Sequence, residues 1–148
     1  IVKMVTINFA DTGDLEFGTL PPGRYHVKVT EGEMRESGPN SKNPGSQYIN
    51  WELTVQDGDY EGRKLWTNTS LLPHALFGLK ALLLSTGKWD NTQLADSMDF
   101  EIEDVLGASV VATVANRDYN GEQRNDVKRF APYDAAKFSS ESSNNLLP

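Results

Sequence analysis

The chemistry this chain could perform is concentrated in a few aromatic and cationic residues set at strand spacing. Lys64 and Trp66 stand two apart in Arg-Lys-Leu-Trp-Thr-Asn, and Tyr48 stands in the alternating run Gln-Tyr-Ile-Asn-Trp-Glu-Leu. Residues two apart on a strand project from one face. An outward Trp and Tyr beside a Lys would form a surface on which unpaired bases stack without any reading of base edges. Further along, Arg117 and Arg124 flank Asn120-Gly121 symmetrically. A two-residue turn there sets the two arginines directly opposite one another, where like charges repel. An anion lying between them resolves the conflict, and guanidinium geometry suits phosphate. The same pairing turns Val114 and Val127 to the core, with Thr113 and Lys128 outward. Arg24 and Lys28, with His26 between them, give an earlier strand a cationic outer face. Plainer readings stand beside each of these: Asp118 and Asp126 neutralise the arginines, and the Arg24–Lys28 face is simply solvated. A one-residue shift of the central hairpin would bury Trp66 instead of exposing it.

Other chemistries find little material. Asp57, Asp59 and Glu61 before Gly62 imitate the start of a calcium loop, but the twelfth position is Asn68 and a strand follows where a helix should. Ser85-Thr-Gly-Lys88 imitates the end of a phosphate-binding loop, but the first glycine is missing and Trp89 follows the lysine. With His26 and His74 the only histidines and no cysteine, neither a histidine-based triad, a thiolate metal site nor a disulfide framework can be assembled. Asn68-Thr-Ser70 fits a glycosylation sequon with no other sign of secretion. No catalytic residue, metal or cofactor is therefore expected.

The elements that must position these residues are legible from hydrophobic period. From Ser46 to Ser70 the chain reads as a hairpin. Ile49, Trp51, Leu53 and Val55 share one face, Asp-Gly-Asp-Tyr-Glu-Gly turns the chain, and Arg63 to Ser70 returns. Setting Leu65 inward with Leu53 turns Lys64, Trp66 and Asn68 out with Tyr48 and Asn50. Before it, Pro21-Pro22-Gly23 launches a strand over Arg24–Thr30, and Glu31 to Gly45 reads as a long mobile loop. Residues 1–9 form a short strand or an arm, and Asp11 to Asp14 a polar loop. After the hairpin, Ser70 caps a helix over Pro73–Ser85, with Leu72, Leu76, Leu79 and Leu83 as its apolar stripe, widened by Phe77, Leu82 and Leu84, and Gly87 as its stop. An acidic connector over 88–107 packs Phe100, Ile102, Val105 and Leu106 back as a strand or short turn. Ala108–Arg117, the Asn120-Gly121 turn and Gln123–Phe130 make the last hairpin. After Pro132 the chain becomes a polar tail.

The chain has 148 residues and a net charge of −7, enough for one domain with a real core. The acidity is local: residues 81–107 hold one lysine against six acids, while residues 23–80 and 108–148 are each neutral. A cationic face therefore survives an acidic total. No apolar run is long enough to span a bilayer and no signal peptide is evident, so a cytoplasmic protein without a membrane partner is expected. The chain begins at Ile1 rather than Met, which reads as trimmed or missing N-terminal residues.

Three strands, a helix, then two strands is the connectivity of the five-stranded Greek-key barrel known as the OB-fold, mainly β, whose helix lies between strands three and four. The expected domains are an arm or short strand over 1–22, the OB-fold over 23–132 and a flexible tail over 133–148. Certain stretches also resemble a known family: Gly23-Arg-Tyr-His-Val, the Trp51-Glu-Leu-Thr-Val strand ending in Asp-Gly, Glu-Gly-Arg-Lys-Leu-Trp, Ala-Leu-Phe-Gly-Leu-Lys-Ala-Leu-Leu, the Leu106-Gly107 step and Asn125-Asp-Val. The family is one of small proteins from tailed-phage replication and recombination modules, long catalogued as a domain of unknown function. Its members are now often labelled single-stranded-DNA-binding. The resemblance covers about Gly23 to Pro132 and implies single-stranded DNA as partner, in the cytoplasm of an infected bacterium, with phage or host replication or recombination proteins as further partners. An oligomer is compatible with it. Arg24, Lys28, Tyr48, Lys64, Trp66, Arg117, Arg124 and Lys128 are the candidate contact residues. The rival expectations are an OB-fold adaptor for another protein and a structural subunit of a phage assembly.

Overall fold

The computed structural model describes Met4, Thr6, residues 19–95 and residues 98–136. The early strand or arm over 1–9, the loop over 11–14 and the tail from Ser139, with its Leu146-Leu147-Pro148 tip, lie essentially outside the described residues. Five antiparallel strands make one sheet: β1 (Gly23–Glu36), β2 (Gln47–Val55), β3 (Lys64–Ser70), β4 (Ser109–Tyr119) and β5 (Glu122–Pro132). Their spatial order is β3-β2-β1-β4-β5. Helix α1 (Phe77–Ser85) lies between β3 and β4 in sequence, at the expected place.

The barrel expectation is corrected in one respect. β3 and β5 form the two edges of the sheet, and no ladder joins them, so the sheet is not closed. The physical reason lies in what stands at that seam. α1 packs against both β3 and β5. A β-bulge also interrupts β5, because Val114 pairs with Val127 while Thr113 pairs with Arg129. The bulge leaves Lys128 without an opposite residue and bends the strand. The expected pairing of Thr113 with Lys128 fails for this reason alone; from Val114 to Tyr119 the pairing is as the Asn120-Gly121 turn dictates. Both turn residues have positive φ, 53° and 87°, the type I′ geometry.

The core follows the alternation of the strands. Val27, Val29, Ile49, Trp51, Leu53, Val55, Leu65, Val110, Ala112 and Val114 are buried, together with Leu79, Leu82 and Leu83 of α1. Burying a large aliphatic or aromatic side chain contributes about 1.5–3 kcal/mol. The helical stripe is only partly the expected one. Leu79, Leu82 and Leu83 are buried, but Pro73–Ala75 forms a separate 3-10 turn before α1, and Leu76 and Phe77, both expected on the stripe, are exposed. Ser70 does not cap the helix: its Oγ accepts from the Leu72 N–H at 3.1 Å, two residues on. Gly87 does end the helix, at φ 77°.

The largest departure is in β1. The strand runs six residues past Thr30, to Glu36, through a stretch expected to be loop. Residues 31–36 pair with residues 47–52 of β2 beyond a bulge at Thr30. Most of their side chains are exposed, so the backbone ladder holds this extension without an apolar stripe. The loop proper is only 37–46. The connector over 88–107 contains 3-10 turns at Gln93–Ala95 and Ile102–Asp104, and buries Val105.

Candidate nucleic-acid interface

The register of β2 against β3 decides where Trp66 points. Leu53 pairs with Leu65, and Glu52 pairs with Trp66. Leu65 is buried and Trp66 is 57% exposed, so the indole stands outward on the edge strand. Trp51 is fully buried, and its Nε1 donates to Thr69 Oγ1 at 2.9 Å.

Around Trp66 the sheet's outer face is polar and ordered. Ser109, Lys28, Thr54 and Lys64 form one cross-strand row over β4, β1, β2 and β3. Glu52, beside Trp66, is the hub of a small network: Lys64 Nζ and Thr30 Oγ1 each donate to its Oε1 at 2.8 Å. The hydrogen bond from Lys64, and then that from Thr30, holds the Glu52 carboxyl below the usual carboxylate range. The same bond holds the Lys64 ammonium above its usual value. Lys64 is thus fixed beside Trp66 with its charge partly matched, a partner that sequence reasoning missed. Nothing in the sequence singles out Glu52 except its place on the outward side of β2.

Along the open seam a cleft of about 660 Å³ lies between Arg63, Lys64 and Trp66 on one side and Glu122, Gln123, Arg124 and Asn125 on the other. It brings together three of the expected residues, Lys64, Trp66 and Arg124. Arg117 pairs with Arg124 across the last hairpin, as expected. Arg124 pairs with Glu122 at 3.6 Å, an acid not among the two expected. Asp126 instead pairs with Lys128 at 2.9 Å. Lys128 lines the adjoining groove between β3, α1 and β5.

Other expected residues lie apart from this cleft. Tyr48 lines a different hollow of about 490 Å³ with Lys42, Asn43, Asn68 and serines of the 37–46 loop. Asn50 Nδ2 donates to Asn68 Oδ1 at 2.7 Å, joining β2 to β3 on that face. Arg24 is on β1 opposite Thr113 of β4, at the far end of the strand from the Tyr48 hollow. His26 is held by Asp57 of the acidic turn at 2.9 Å and stacks on Tyr133, ring centroids 3.5 Å apart. The first residues after β5 therefore lie on the sheet. Among the described residues no three His, Asp or Glu side chains are grouped as a metal site.

Asn125 has a role of another kind. Its Oδ1 accepts from the Leu20 N–H at 2.9 Å and its Nδ2 donates to the Leu20 carbonyl at 2.8 Å. This pins Leu20, itself fully buried, to the rim of the cleft.

One family model, described as "Protein of unknown function (DUF669)", matches residues 6–143. No curated protein matches the chain.

Proposed function

We propose a function for a chain that belongs to this family of unknown function: it binds single-stranded DNA without strong sequence preference, by stacking on Trp66 and phosphate contacts from the cations around it. We read the sheet as an OB-type barrel left open between β3 and β5, since its order β3-β2-β1-β4-β5 is that of the OB barrel cut at this seam. The observation that carries the proposal is the cleft itself. An exposed indole stands at its wall, flanked by Lys64, with Arg124 across from it. Base stacking on such a ring is worth about 1–3 kcal/mol and is indifferent to sequence. Lys28, in line with Lys64, and Arg117, opposite Arg124, widen the cationic surroundings. A phage replication or recombination module is the setting proposed for this activity.

The direct test is fluorescence anisotropy with labelled oligo-dT and with a duplex of the same length. Single strands should bind with log affinity falling against log salt at a slope of about −2 to −4 for three to five phosphate contacts. Duplex should bind much more weakly, since its stacked bases cannot reach the indole. A second reading, an adaptor whose ligand is a protein, is favoured by one feature: Leu76, just before α1, and Phe77, its first residue, expose apolar surface.

A further inference from the structure

The cleft beside Trp66 does not end there. On β3 it reaches Trp66, and the adjoining groove of about 210 Å³ begins at Thr67; on β5 only Asp126 separates Asn125 of the cleft from Val127 of the groove. The two hollows lie next to one another along the seam, lined by successive residues of β3 and β5.

The second hollow carries the same chemistry as the first. Of its two aromatics, Phe130 is partly buried against the core, and Phe77, at the start of α1, is 76% exposed. The neighbours of Phe77 in the groove are Gly78 and Ala81. Ala81, at i+4, shares the helix face with Phe77, and both neighbours are too small to cover the ring. Across the groove stand Lys128, displaced by the β5 bulge, and Arg129. An exposed ring with two cations beside or across from it is thus present in both hollows. A polymer that repeats a flat base and an anionic phosphate matches both. A protein ligand accounts for the apolar ring and leaves the repeated cations unexplained.

We infer that single-stranded nucleic acid runs along the seam between β3 and β5 and stacks a second base on Phe77, with Lys128 and Arg129 contacting its phosphates. This rests on the proposed function and extends it to a residue on α1. Phosphate displaces Asp126 from Lys128, so this length of the site is sensitive to salt.

The test compares oligo-dT of about 4 and about 16 nucleotides, the span of site sizes for one OB fold. In Phe77→Ala, affinity for the longer oligonucleotide should fall about tenfold, while the shorter one, seated at Trp66, binds as to the parent. Phe77→Trp should restore the longer one. Lys128→Ala with Arg129→Ala should lower the salt slope for the longer oligonucleotide by about 2. Phe77 is mostly exposed, so the variants should melt like the parent. If Phe77→Ala binds both lengths like the parent while Trp66→Ala weakens both, the strand does not reach α1. The proposed function then stands and this inference fails, leaving Phe77 to a protein partner. If the parent binds neither oligonucleotide, both fail together.

Discussion

The six-membered ring of Trp51 occupies the space where Gly32 has no side chain. The two residues pair across β1 and β2, and a Cβ at Gly32 would stand 2.6 Å from Trp51 Cζ3 and 2.8 Å from Ile102 Cγ2. Glycine at this position lets the largest core residue pack directly against the backbone of the β1 extension. The next residue of β2, Glu52, is then held opposite Trp66.

Gly32→Ala should therefore overpack the core and lower stability by about 1–3 kcal/mol. Trp51→Ala should cost about 3–5 kcal/mol through the cavity it leaves. Thr69→Val, which strands the indole N–H, should cost about 1–3 kcal/mol. Chemical denaturation measures all three. A Gly32→Ala variant as stable as the parent would contradict the close packing.

The Glu52 network makes a pH prediction. The folded state holds Glu52 below the value of a free carboxyl, so the network's stabilisation is present above that ordinary value, about 4.3. It is lost as pH falls through the lowered folded value. Lys64, raised in the folded state, contributes at every pH below the ordinary lysine range and loses its effect only as pH rises through the raised value. Glu52→Gln should accordingly lower the melting midpoint at neutral pH, with the difference shrinking toward about pH 3, below the ordinary carboxyl value. A difference that stays constant over that range would count against the network. The same variant should steepen the salt dependence of oligonucleotide binding by about 1, because Lys64 is released to phosphate.

Asn125 should prove structural although it lines the cleft. Asn125→Ala removes both hydrogen bonds to the Leu20 backbone, each worth about 0.5–1.5 kcal/mol, and loosens the burial of Leu20. The expected signature is a lower melting midpoint, with oligonucleotide affinity little changed once the protein is folded. A stable variant with tenfold weaker binding would make Asn125 a contact residue instead.

How much of this was readable beforehand depended on whether the determinant was local. The central register was legible because Ile49, Trp51, Leu53 and Val55 have one buried face to satisfy, and Leu65 must join it. The last hairpin was legible because Asn120-Gly121 fixes its own turn type. The extension of β1 was not, because residues 31–36 are held by backbone pairing and carry no apolar alternation. Nor was the open seam, which depends on the bulge at Lys128 and on where α1 packs. Glu52 and Glu122 were missed as partners because an ion pair across strands depends on side-chain reach and not on spacing in sequence. Asn125 was visible as part of a motif, but its bond to Leu20, 105 residues away, was not.

The facing arginines should act on binding and little on the fold. Arg117→Ala with Arg124→Ala should reduce the salt slope by about 2 and weaken single-strand binding. Relief of the repulsion across the hairpin should leave the melting midpoint unchanged or raised. A variant that binds oligo-dT with the parent's affinity and salt slope would remove both residues from the site.

Binding by stacking depends on the outward face of Trp66, so the affinity of Trp66→Ala for oligo-dT at fixed moderate salt is the decisive measurement. Binding should weaken by about 1–3 kcal/mol while the melting midpoint stays that of the parent. Parental affinity in a folded Trp66→Ala protein would contradict stacking there.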